Sequence, residues 1–210
     1  MEDAEAPRVV GRGRAAGLHV TAVLLDDITC VYNFIEVGDP AGIQSWAERA
    51  CRELGGTPYP HTGETILHAA LRTATLDAAH VSEEGFARRP DSLDALVNLP
   101  VGDIIRKLFC ADASMDVEAG VLRETCREMT KWRRFAVTHG GFIGLVPYDV
   151  RVGDQVFAFA GGSVLYVARQ AAGLVSTRYT FVGESYFHGL MDGEWRSNDS
   201  FGSPYRAVLV

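Results

Sequence analysis

The chain has 210 residues, enough for one substantial core or two small ones. Its 47% hydrophobic and 22% charged content is ordinary for a globular chain, and a net charge of -7 argues against a nucleic acid or an anionic membrane as a general partner. No apolar run reaches the roughly 20 residues a membrane helix requires, so a cytoplasmic location is expected.

Residues 1–16 are charged and Gly-rich without the apolar core of a signal sequence, and read as a flexible tail before a single domain over 17–210. His19 to Phe34 is β-branched and apolar, interrupted by Asp26-Asp27, which predicts two strands or one bent strand able to join a larger sheet. Asp39-Pro40 supplies a cap and a first-position proline. Ile43, Trp46, Ala47, Ala50, Cys51 and Leu54 then recur at helical spacing until Gly55-Gly56. A second helix starts with Thr62 as its cap, turns Ile66, Leu67, Ala70 and Leu71 to one side, and runs to about Asp77. Val81 to Ser92 is polar and broken, so a loop is expected there. Asp91-Ser92 caps a further helix that Pro100 interrupts before Cys110. Asp116 caps the last, whose stripe of Val121, Leu122, Cys126, Met129 and Trp132 is expected to lie on a sheet.

From Arg134 the pattern changes to short apolar runs closed by Gly, Pro or Asp. The predicted strands are Arg134–Thr138, Phe142–Val146, Gln155–Ala160, Ser163–Arg169 and Ser176–Val182. In the third, Val156 alternates against Phe157 and Phe159. In the fourth, Val164, Tyr166 and Ala168 oppose Leu165 and Val167. The fold expected is α+β: a helical layer over about 39–133 packed on a small antiparallel meander or partly open β-barrel over about 134–194. It has about five to seven strands and about four helices, and closure would remove exposed strand edges. Tyr205 to Val210 is apolar and either pairs as a final strand or hangs free.

Chemistry concentrates in Gly183 to Glu194. In extended backbone Glu184, Tyr186 and His188 share one face, which makes His188 a candidate general acid or base and Tyr186 a donor. Glu184 would orient His188 or neutralise Arg169. Candidate substrate-binding residues are Arg169, Tyr166, Tyr148, Asp192 and Phe157, with Asp154 at the same rim. The competing reading is that this stretch fixes a turn and buries a structural Glu–Arg pair. The cysteines form no C-x-x-C pair, His61 and His68 lack a third ligand, and no Gly-rich phosphate loop or nucleophile elbow occurs. Neither a metal nor a cofactor is expected.

Three segments, GFIGLVP (Gly141 to Pro147), GDQVFAFAGGSVLYVAR (Gly153 to Arg169) and VGESYFHGLMDGE (Val182 to Glu194), resemble the C-terminal region of fungal heterokaryon-incompatibility (HET) proteins. Upstream, Leu18 to Val31, Thr62-Gly63-Glu64 and Leu71-Arg72-Thr73 with Asp77 are similar to that family as well, so the resemblance covers most of 18–194. Two departures are the missing proline before the apolar strand at Ser163 and Ala168, not leucine, before Arg169. The family's N-terminal signalling domain has no counterpart here, which implies a free-standing copy of the C-terminal region.

The resemblance implies two roles. One is a cofactor-independent cyclase or isomerase of fungal secondary metabolism, of the pericyclic (Diels-Alderase-like) kind. It would hold an apolar terpenoid or polyketide by conformational restriction and preorganised donors. The other is a non-catalytic interaction module related to allorecognition. A closed apolar pocket of several hundred Å³ favours the first, a flat exposed apolar patch the second.

Overall fold

The computed structural model describes residues 8–10, 17–32, 40–56, 58–82, 85–88, 117–171, 177–197 and 201–210. The described chain falls into two compact units. One ends at Val31 and resumes over Ala136–Val210; the other is Tyr32–Phe135. The second boundary lies two residues from where the hydropathy pattern changes period.

The first unit is a sheet, and its organising strand is unusually long. β2 (Gly17–Val31) pairs antiparallel with β1 (Arg8–Val10) and, through Val20 and its neighbours, with β10 (Tyr205–Leu209). Its middle pairs with β7 (Gln155–Phe159) and its end with β5 (Arg133–Thr138). From β5 the order continues through β6 (Ile143–Pro147), β9 (Arg178–Phe187) and β8 (Leu165–Gln170) back to β7, so the pairings form a ring. The pairings β2–β5, β2–β7, β6–β9, β7–β8 and β8–β9 are antiparallel; β10 adds a short parallel pairing with β9. Of the two forms the sequence left open, the structure is the partly open barrel and not a simple meander, because β6 pairs with β9 and not with β7. The final apolar segment pairs as β10.

Asp26 and Asp27 explain why one strand can serve so many neighbours. Register shifts fall between Leu24 and Asp26 and between Ile28 and Cys30, which bends the strand without breaking it. Asp26 Oδ2 accepts the Gly140 amide of the β5–β6 turn at 2.8 Å, while Asp27 Oδ1 accepts Gln155 Nε2 of β7 at 2.8 Å. The pair of carboxylates that interrupts the apolar run thus ties the bend to the strands on either side.

Inside the ring, Val23, Leu25, Ile28, Val156, Leu165, Val167 and Phe187 belong to one packed cluster. The predicted alternation holds: Phe157, Ala168 and Tyr179 lie in a second cluster with Val20, Ala22 and Ala207. At Gly144 two strands of the ring approach closely. A Cβ there would meet the Phe187 ring and the Tyr186 carbonyl, so β6 and β9 can approach only with glycine at this site.

In the second unit α1 (Pro40–Glu53) starts at the predicted proline. α2 (Ile66–Ala74) is capped by Thr65, not Thr62: the Thr65 hydroxyl accepts the His68 amide at 3.2 Å, and the Thr62 hydroxyl turns instead to Glu64 at 2.6 Å. The helix ends at Ala74, and Leu76 and Asp77 take positive φ of 56° and 52°. Arg72 holds this turn, contacting Asp77 at 2.6 Å and Glu64 at 3.2 Å. The residues of the Glu64, Arg72 and Asp77 motif are therefore one ion-pair staple. The expected loop after Val81 is in part a hairpin, β3 (Ala78–Ser82) with β4 (Gly85–Arg88). α3 (Val117–Thr130) packs on α2 and β3. Within the tail expected over 1–16, Arg8–Val10 is strand β1, paired with β2; the rest of that tail, the helix expected between Asp91 and Cys110, and the Asp116 cap lie outside the described residues.

Gly144→Ala should destabilise the fold by about 1–3 kcal/mol, the usual cost of overpacking a tight contact. A urea-denaturation midpoint equal to that of the unaltered chain would show that the β6–β9 approach relaxes freely.

Candidate functional site

The predicted site residues do not form one cluster. β9 carries a bulge: Ala168 pairs with Phe181 but Val167 with Gly183, which resets the alternation after Val182. Beyond it Gly183, Ser185 and Phe187 share the face of Leu165 and Val167, so Glu184 and Tyr186 point to the other side. Glu184 is exposed, opposite Tyr166. Tyr186 and His188 are buried at 5% and 6% exposure, and the Tyr186 hydroxyl lies 3.0 Å from His188 Nδ1. The His188 amide also donates to the Ile143 carbonyl at 2.9 Å, anchoring the end of β9 to β6.

Arg169 is engaged elsewhere. Its Nε donates to Asp154 Oδ1 at 2.6 Å, and its Nη2 donates to Asp154 Oδ2 at 2.8 Å and to the Asp149 carbonyl at 2.9 Å. Asp154 is 1% exposed and also accepts the Arg151 amide at 2.8 Å. This bidentate pair staples the β6–β7 turn to β8. The hydrogen bonds it donates to Asp154, aided by the Asp154 and Asp149 charges and opposed by partial burial, hold the guanidinium above its ordinary range. A raised cation favours the folded state at every pH below that range, so no loss from this group is expected on ordinary alkalinisation. The Glu–Arg pair anticipated from the sequence is thus an Asp–Arg pair, Asp154 with Arg169.

Among the described residues of the first unit, two open clefts flank the β7–β8 hairpin, one on each side. The first, about 530 Å³, is at the mouth of the ring: Val23, Ala158 and Leu165 form its floor, Met191 and Trp195 a wall, and Asp192 and Arg196 its rim. The second, about 540 Å³, is on the outside and is lined by Leu18, Val20, Phe159, Tyr166, Phe181 and Val210. There Phe159 stacks on Tyr166 with centroids 4.8 Å apart, and Tyr166 meets Phe181 at 6.0 Å. Phe181 and Val210 are 46% and 44% exposed. Of the predicted residues Asp192 lines the first cleft and Tyr166 the second. Tyr186, His188, Glu184, Arg169, Tyr148 and Phe157 line neither: Tyr148 is exposed, and Phe157 is wholly buried against Tyr179. Phe159, Phe181, Trp195 and Arg196 were missed. The Gly161-Gly162 turn was their signal, since the hairpin it makes borders both clefts.

Burial alone pushes the Cys126 thiol up to about 12, leaving it unreactive at neutral pH. Burial and the Tyr179 hydroxyl at 3.0 Å likewise raise Tyr205. Among the described residues no group of three or more His, Cys, Asp and Glu side chains could hold a metal ion, and no helix is long and apolar enough to cross a membrane.

Asp154→Ala removes a buried carboxylate with three donors and should cost about 3 kcal/mol, against about 1 kcal/mol for Tyr186→Phe. Urea melts of both variants check the order; an Asp154→Ala protein as stable as the parent would remove the staple.

Residues 73–200 match the Het-6 beta-barrel domain. A stretch of 62 residues is 37% identical to heterokaryon incompatibility protein 6, OR allele, of Neurospora crassa; it covers 30% of this chain and 9% of that protein. No solved structure matches. The ring of strands, and a family match over more than half the sequence, make this chain a member of the Het-6 beta-barrel domain family.

Proposed function

We propose that the chain is a non-catalytic interaction module of the heterokaryon-incompatibility type, binding a protein partner through the outer face of its barrel. One observation carries this reading: the ring is filled by its own side chains, while Phe159, Tyr166, Phe181 and Val210 leave an apolar, aromatic groove outside it. Side chains that a monomer could bury but leaves in water mark contact surfaces, and aromatic residues supply most of the energy in such contacts. The groove's lining holds no charged side chain, so desolvating it carries little electrostatic cost. The name of the Neurospora relative favours allorecognition as the setting.

Phe181→Asp tests it, because Phe181 is half exposed and its loss should leave the melting temperature nearly unchanged. In fungal transformants expressing the chain, the expected outcome is an incompatibility phenotype that Phe181→Asp abolishes. A phenotype unaffected by the substitution would remove the groove from the mechanism.

The cyclase reading is favoured by one observation, the first cleft, whose size falls within the range of small-molecule sites and which sits at a barrel mouth. Its polar groups would then be the Arg196 guanidinium as donor and the Asp192 carboxylate as acceptor, instead of Tyr186 and His188, which line neither cleft. Organic extraction of chain purified from a fungal host should release an apolar ligand that a Trp195→Ala chain lacks; an empty extract would sink this reading.

A further inference from the structure

We infer that the cleft at the mouth of the ring is a binding site for a small amphipathic monocarboxylate, with Arg196 as the anchor for its head and the apolar floor as the seat of its tail. Arg196 is exposed at the rim, and its guanidinium carbon stands 4.8 Å from the centre of the Trp195 ring. A cation over an indole face is held in place without losing its hydrogen-bonding edge, so the donors stay available to a ligand. Among the described residues Arg196 makes no ion pair, whereas Arg72, Arg127 and Arg169 each do.

Local backbone reinforces that placement. Gly193 takes φ of 86°, which side chains rarely tolerate, and a Cβ there would come within 2.8 Å of Arg196 Nη1. Glycine thus permits both the turn and the seat of the guanidinium over it. The turn is closed by the Asp192 amide donating to Glu194 at 2.7 Å and the Arg196 amide donating to the Gly193 carbonyl at 2.9 Å. Below the rim the side chains of Val23, Ala158, Leu165 and Met191 are apolar, with Thr21 and Ser163 beside them in the lining. A cation at the mouth and an oily floor beneath it select a ligand with opposite polarity at its two ends. Asp192 shares the rim and opposes an anion, which limits affinity and predicts the sign of its replacement.

The inference uses the same cleft as the cyclase reading but requires binding alone, so an absence of turnover leaves it standing. Calorimetric titration of the full chain with octanoate, octanamide, octylamine and acetate tests it. Octanoate should bind about three- to fivefold tighter than octanamide, in line with an exposed ion pair, and octylamine and acetate should bind more weakly still. Arg196→Gln should erase the preference for octanoate over the amide, and Asp192→Asn should widen it. Equal binding of acid and amide, acetate binding as tightly as octanoate, a preference that survives Arg196→Gln, or no binding of any probe would each overturn the inference. Both substitutions are at exposed positions, so retained melting temperatures separate a lost site from a lost fold.

Discussion

The fold depends on one strand. Without β2 the remaining strands would expose unpaired edges at β5 and β7, whose backbone groups would need water or another chain. β2 reaches both because it bends twice within one apolar run, and the bends are stabilised by the acidic dipeptide that looked from the sequence like an interruption. The closing strand and β10, which pairs with it, both lie outside residues 73–200, the span matched by the family. The ring is therefore closed by sequence that precedes the region that identifies the family, and β10, which follows that region, adds to β2 and β9 outside the ring.

Closure has a consequence for function. Apolar side chains pack inside the ring, and among the described residues clefts open at its mouth and on its outside. The β7–β8 hairpin borders both openings, and its two faces meet different chemistry. On the outside it carries an aromatic ladder with no charge; at the mouth it faces an arginine stacked on a tryptophan. The proposed protein-binding face and the proposed acid site are compatible in one molecule, because the hairpin separates them.

Several polar residues of the chain are engaged with partners inside the fold. Asp154 and Arg169 staple a turn, Arg72 braces the strained Leu76-Asp77 turn against Glu64, and the His188 ring lies within hydrogen-bond distance of the buried Tyr186 hydroxyl. Each occurs in a segment that carries the resemblance to incompatibility proteins. Buried ionic and hydrogen-bonded groups specify a unique arrangement even where they add little net stability, which is reason enough for a motif to be polar.

The amino-acid sequence by itself determined the class of each strand from β5 to β8, the faces of β7 and β8, the start of α1, and the resemblance carried by the Gly-Asp, Gly-Gly and Val-Gly-Glu segments. These follow from periodicity, turn chemistry and local order, which act over a few residues. Only the tertiary structure decided that β6 would pair with β9, that β2 would close the ring, and that Arg169 would meet Asp154 instead of Glu184. It also decided that Tyr186 and His188 would be buried while Trp195 and Arg196 faced the cleft. The physical reason is that strand order and burial depend on contacts between residues far apart in the chain, and a single bulge at Val182 is enough to reassign which side every later residue of β9 faces.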